Sequence, residues 1–211
     1  MPQQAEHLFN RRAQDYQAKY MDVSHYGDTL ALFCDALPPN ASVLDVACGP
    51  GNLSRFLLDR RNDLRMSGTD LAPNMIALAQ ANNPEASFSL ADMRRIAETN
   101  SRYEALVCGF GLPYLSKAEA ATFISDMAKI LRPGGSVYLS TMTADIDASL
   151  LQQSSDGQDA ILTHYHAEAT LREVLKHAGF DIVLSQKQPF PDKPDTTDLI
   201  IIAQKRQSVG A

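Results

Sequence analysis

Cysteine is scarce and scattered in this sequence. Cys34, Cys48 and Cys108 are three in number, far apart and without a CxxC pair, which excludes a disulfide framework and offers no zinc-ligand spacing. A reducing, cytoplasmic setting is expected, with no metal. Basic charge is also short, since 19 Lys and Arg stand against 25 Asp and Glu for a formal net charge of −6. A surface built to hold a polyanion gathers basic residues on one face. The pairs Arg11-Arg12, Arg60-Arg61 and Arg94-Arg95 are isolated, so nucleic acid is not expected as a partner. Long apolar runs are missing too. The start "MPQQAEHLFNRRAQDY" lacks the apolar core of a signal peptide, and "LIIIA" near the end is too short to cross a bilayer. A soluble protein with no membrane partner is expected. No internal repeat, low-complexity tract or dividing linker interrupts residues 1–211, which are read as a single domain.

What the sequence does have is alternation. Short, often β-branched runs at residues 42–47, 64–70, 86–92, 103–110 and 136–142 are separated by segments of helical spacing. That order predicts a doubly wound α/β fold, a mostly parallel sheet with helices on both faces. Pro73 suits the first turn of a helix. In "KAEAATFISDMAKIL" the residues Ala121, Ile124, Ala128 and Leu131 are read as one stripe, stopped by "RPGG". After "ATLREVLKHAG", with Gly179 as a C-terminal cap, two strands at residues 180–186 and 198–205 flank "PFPDKPDTTD". They are read as a hairpin at the edge of the sheet.

The stretch "VLDVACGPGN" places a glycine turn at the carboxyl end of the first strand, where open α/β sheets bind ligands. A dinucleotide loop needs a third glycine, but Gly49-Pro50-Gly51 is followed by Asn52, Leu53 and Ser54, and no lysine completes a phosphate loop. Asp45 would repel a pyrophosphate and suits a ligand with an ammonium group and a sulfonium. Asp70 ends the second strand, where an acid can accept bonds from both hydroxyls of a ribose. Asp92 ends the third strand, where it can accept from an exocyclic adenine amine beside the apolar Met93. Each acid alone reads as a cap or turn residue; three at successive strand ends make one site.

These segments resemble the class I S-adenosylmethionine-dependent methyltransferases over residues 40–205. The matching stretches are "VLDVACGPGNLS", "GTDLAPNMIALA", "LAD", "ALVCGFGLPYLS" and "LRPGGSVYLS", in that order. Ala47 departs from the pattern, since many members have glycine there. The resemblance implies a Rossmann-like sheet of seven strands with a reversed C-terminal edge hairpin, and S-adenosyl-L-methionine as cofactor. It implies that Asp45, Ala47, Cys48, Gly49 and Gly51 lie along the methionine part and Asp70 on the ribose. Asp92 and Met93 are implied at the adenine, Gly109 and Phe110 at the methionine moiety, with Leu71, Met75 and Ala91 completing the cofactor site.

In this family the acceptor pocket is usually built by the segments before the first strand and after the fifth. These are residues 1–39, read as a helical cap or lid, and 143–166, a shorter second cap. Both are short, so a small-molecule acceptor is expected, and the chain is read as a monomer or homodimer. Tyr16, Tyr20, Tyr26 and Tyr165 are candidates for closing over the acceptor; Tyr16 and Tyr20, four apart on one helix, would equally cover the core. His164 and His166 are candidates for proton abstraction or for surface and capping roles, and Tyr114 for a pocket wall. No strict catalytic signature is required, because in-line transfer from a sulfonium depends chiefly on alignment in a dry site.

Overall fold

The structure is a computed structural model that describes residues 2–153, 160–190 and 193–207. Seven strands form one sheet in the order β3-β2-β1-β4-β5-β9-β8. Strands β1 (Ser42–Val46), β2 (Arg65–Asp70), β3 (Ser87–Leu90), β4 (Tyr103–Gly109) and β5 (Leu131–Thr143) run parallel. The reversed element is β9 (Lys193–Lys205), inserted antiparallel between β5 and the edge strand β8 (Phe180–Phe190). Pairing in this hairpin extends further into "PFPDKPDTTD" than the sequence suggests, reaching Phe190 opposite Lys193, with residues 191–192 outside the described ones. Pro189 is tolerated because β8 is an edge strand.

Alternation along the strands splits the core in two. Leu44, Val46, Leu106, Val137, Leu139 and Ile201 face α6 (Lys117–Ile130) and α7 (Glu168–His177). Val43, Val107, Tyr138, Ile200 and Ile202 face α3 (Gly27–Asp35) and α4 (Asn52–Arg60). A capping box starts α6: Ser116 and Glu119 satisfy each other's exposed backbone amides, a device worth about 1 kcal/mol. The buried stripe of α6 is Ala120, Phe123, Ile124, Met127 and Ile130. This corrects the stripe read from sequence, with Ala121 and Ala128 at its margin, because the larger side chains decide which face meets the sheet.

Before the sheet, α1 (Pro2–Arg11), α2 (Ala13–Tyr20) and a 3-10 turn (Ser24–Tyr26) cross the carboxyl ends of the strands. Ala13 packs with Ala72 and Met75, against which Phe9 and Tyr16 lean, so this segment rests on α5 (Pro73–Asn82). The second cap segment is a two-stranded hairpin of β6 (Ala148–Gln153) and β7 (Ala160–Tyr165); its residues 154–159 lie outside the described ones. Among the described residues no helix is long and apolar enough to cross a membrane.

Candidate functional site

Strand β1 lies between β2 and β4, so the loops leaving β1 and β4 diverge and open a crevice. The glycine loop is folded onto its neighbours by backbone bonds: Cys48 N–H donates to Thr69 O and Gly51 N–H to Cys48 O, both at 2.9 Å. Gly51 begins α4 with φ of 77°, the left-handed region that glycine enters without penalty. A Cβ there would collide with the Asn83 amide and press on Ala79 of α5, so this glycine is demanded by helix packing. Gly51 does not line the crevice; Gly49, with φ of 53°, does.

Asp70 ties the loop down. Its Oδ2 accepts from Gly49 N–H and its Oδ1 from Ala72 N–H, each at 2.9 Å. Burial pushes its pKa up against these bonds, which act in the opposite direction. Asp92 accepts from Arg94 N–H at 2.9 Å and pairs with the Arg94 guanidinium at 3.0 Å. Asp45 sits elsewhere: it is 1% exposed on the α4 side of the sheet, where Ser54 Oγ donates to its Oδ2 at 2.7 Å. Its Oδ1 has no protein hydrogen-bond partner. Desolvation pushes its pKa up to about 7. It lies below the loop and lines neither cavity, because alternation on β1 turns it under α4.

Two connected spaces occupy the crevice. The first is a cleft of about 90 Å³ lined by Ala47, Gly49, Asp70, Leu71, Met75, Ala91, Asp92 and Met93, and by Gly109, Phe110, Tyr16 and Tyr114. The second, of about 480 Å³, shares Tyr16, Ala47, Gly49, Gly109, Phe110 and Tyr114 with it and adds Cys48, Tyr20, Tyr26 and Tyr165. Sequence reasoning missed Phe9, His25, Tyr138, Ser140, Met142, Gln152 and Phe190 in these walls. Only the alternation of Tyr138, Ser140 and Met142 on β5 carried a local signal. Ala47 and Phe110 take positive φ of 55° and 56° although neither is glycine, local strain at two loops that meet across the crevice.

The tyrosines form a roof. Phe9 lies edge-on to Tyr16 and Tyr114 with centroids at 5.8 and 5.0 Å, and Tyr16 adjoins Tyr20 at 4.7 Å. Burial lifts the Tyr16 and Tyr114 phenols well above the ordinary tyrosine value, so both remain protonated. Neither histidine candidate lines this space. His166 is 2% exposed and its Nε2–H donates to Leu112 O at 2.9 Å, a structural bond between β7 and the β4–α6 connection. His164 bonds Ser149 Oγ through Nδ1 at 2.7 Å and faces a separate pocket with Arg94 and Glu119. Strand alternation around β7 turns both rings away while sending Tyr165 into the cavity.

A crevice at the switch point, with an acid at the end of β2 and another after β3 and no third glycine or lysine for phosphates, is what a nucleoside with a sulfonium arm requires. Comparison with known proteins agrees. Residues 43–135 match the family described as Methyltransferase domain. The ubiquinone biosynthesis O-methyltransferase of Xylella fastidiosa (strain 9a5c) is 26% identical over 93% of this chain and 79% of its own length. The malonyl-[acyl-carrier protein] O-methyltransferase of Acetivibrio thermocellus is 33% identical, over 47% of this chain and 36% of its length. The 1,6-didemethyltoxoflavin-N1-methyltransferase of Burkholderia thailandensis, solved with 1,6-didemethyltoxoflavin and S-adenosylhomocysteine, superposes with a TM-score of 0.74 at 22% identity, covering 96% and 88% of the two chains. The family match over residues 43–135, the methyltransferase relatives and the methyltransferase structures together support a class I S-adenosylmethionine-dependent methyltransferase.

Proposed function

We propose that the protein methylates a small-molecule acceptor held in the larger cavity, with S-adenosylmethionine in the crevice beside it. The observation that carries this is the shape of the space: a cavity of about 480 Å³, roofed by the N-terminal cap and walled by the β6–β7 hairpin, opens directly onto Gly109 and Phe110. Volumes of that order suit small ligands, and the cap leaves little room for a polymer to lie across the strand ends.

The residues present fit the cofactor. Asp70 retains acceptor capacity on both oxygens after its two backbone bonds and would take the ribose hydroxyls. Asp92 would accept from the adenine amine beside Met93, Leu71 and Met75. Ala47, Cys48, Gly49, Gly109 and Phe110 would run along the methionine arm, where small side chains and exposed backbone allow close approach. Asp45 and Gly51 would act from beneath, by holding the loop. S-adenosylmethionine supplies an electrophilic methyl group on sulfur. Tyr16, Tyr20 and Tyr114 would exclude water and fix the acceptor in line with that methyl group.

The test is a panel of small metabolites incubated with S-adenosylmethionine, following S-adenosylhomocysteine release. At least one small acceptor should turn over. Methylation of polypeptide or RNA in place of every small molecule would refute the reading.

A further inference from the structure

Behind the wall of the larger cavity, next to Tyr26, lies a buried acid. Asp198, on β9, is 0% exposed, and its Oδ1 lacks any protein hydrogen-bond partner. Its Oδ2 accepts from the Tyr26 hydroxyl at 2.7 Å. The Tyr26 ring lines the cavity and lies 5.6 Å from Phe110, at the border with the cofactor crevice. A carboxylate taken out of water without a matching charge is costly. Among the described residues the cavity's single Lys or Arg is Lys19, whose ammonium sits 5.0 Å from the Tyr20 ring centroid. The remaining wall is rich in aromatic faces, from Tyr16, Tyr20, Tyr114, Tyr138 and Tyr165.

Resting on the small-acceptor reading, we propose that the acceptor is an amine that enters as its ammonium ion. Its charge is recognised by the aromatic wall, with Asp198 as counter-charge behind Tyr26. Aromatic rings attract ammonium groups, most strongly where water is excluded, whereas an anionic acceptor would face the charge of Asp198 behind Tyr26 and of Asp22 in the wall, with Lys19 and His25 to offset them. Before transfer the ammonium proton passes to Tyr26 Oη as Tyr26 hands its own proton to Asp198 Oδ2. The nitrogen lone pair then forms the N–C bond, and the electrons of the broken C–S bond stay on sulfur. Tyr26 is the group that touches the acceptor; Asp198 acts through it as a positioning residue. Burial and the Asp198 charge hold the Tyr26 phenol above its ordinary pKa, so its hydroxyl keeps its proton and its direction toward the acid.

The discriminating probe is a pair of isosteres, choline and uncharged 3,3-dimethylbutan-1-ol, titrated by calorimetry into protein saturated with S-adenosylhomocysteine. Choline should bind about tenfold more tightly, the range a desolvated cation–π site supplies, and Asp198→Asn should narrow the difference. Equal affinities in the unaltered protein, or a preference unchanged by Asp198→Asn, would overturn the proposal. Tyr26→Phe keeps the ring but removes the hydroxyl bond that Asp198 accepts, so turnover of an amine acceptor should fall by about tenfold or more. Unchanged turnover would overturn the proton route. If only hydroxyl or carboxylate compounds are methylated, the amine assignment fails and the small-acceptor reading stands; if no small molecule is methylated, that reading fails first.

Discussion

Replacing Asp70 with alanine should damage both the loop and the ligand site, and the two effects can be separated. In the folded chain the carboxylate receives N–H bonds from Gly49 and Ala72, each at 2.9 Å. Bonds to a charged acceptor are worth about 1.5–3 kcal/mol each, and an amide left unpartnered in a half-buried loop costs about 1–3 kcal/mol. Water can reach this cleft and recover part of that loss, so a stability loss of about 2–4 kcal/mol is expected, within what a domain of 5–15 kcal/mol survives. The ribose would lose its acid as well, which should weaken S-adenosylhomocysteine at least about tenfold. Urea denaturation without ligand gives the first number and calorimetry the second. Asp70→Asn refines the comparison, because one amide oxygen can still accept while its NH₂ faces a backbone donor. If the denaturation midpoint falls but the dissociation constant is unchanged, Asp70 is a loop brace and the ribose partner lies elsewhere. If neither moves, the reasoning about this acid fails altogether.

Asp45→Asn should stabilise the protein in a pH-dependent manner. The folded pKa is raised from 3.8 to about 7, so the favourable contribution of the protonated acid is complete below pH 3.8 and is lost as pH rises through 7; the amide variant should gain up to about 4 kcal/mol by pH 8 and nothing near pH 4. A gap of the same size at both pH values in urea titrations would refute it. Gly51→Val should lower the melting temperature even without ligand, since its side chain meets Asn83 and Ala79 and not the crevice; normal folding with lost cofactor binding would contradict this. Ala47→Gly relieves a positive φ of 55° and should raise stability by about 0.5–1 kcal/mol, read from the denaturant midpoint. The cleft below Phe9 and Tyr16 is narrow, about 90 Å³, so the N-terminal cap should part to admit a nucleoside and close over it. Hydrogen exchange across α1 and α2 should slow with S-adenosylhomocysteine, and equal protection in both states would make the cap a fixed wall.

The sheet's composition and the glycine turn were legible because they rest on short-range rules. Alternating strand and helix patterns announce a doubly wound sheet, and Gly49-Pro50-Gly51 at a strand end marks the crevice whatever surrounds it. The place of Asp70 and Asp92 in the cleft was legible for the same reason: Asp70 ends β2 and Asp92 follows β3 by two residues, and parallel strands bring their ends together. Side-chain direction was less secure. Asp45 ends up beneath the loop because strand alternation turns it under α4, and the α6 stripe rotates because Phe123 and Met127 take the sheet face.

The second cap gave no periodic signal strong enough to announce β6 and β7, whose exposed Leu150 and Leu151 break the usual inside-outside alternation. The histidines on and beside it looked chemical by residue type, yet pairing turned them toward Ser149 and Leu112. What the sequence by itself determined, then, was the order of the sheet's elements and the place of the crevice, since both follow from local spacing. Only the tertiary structure brought Tyr26 to Asp198 across 172 residues, because insertion of β9 beside β5 sets that acid under a cap folded from the other end of the chain. No local pattern encodes a meeting of that kind, which depends on strand order and on which face of β9 the packing of Ile200 and Ile202 turns inward.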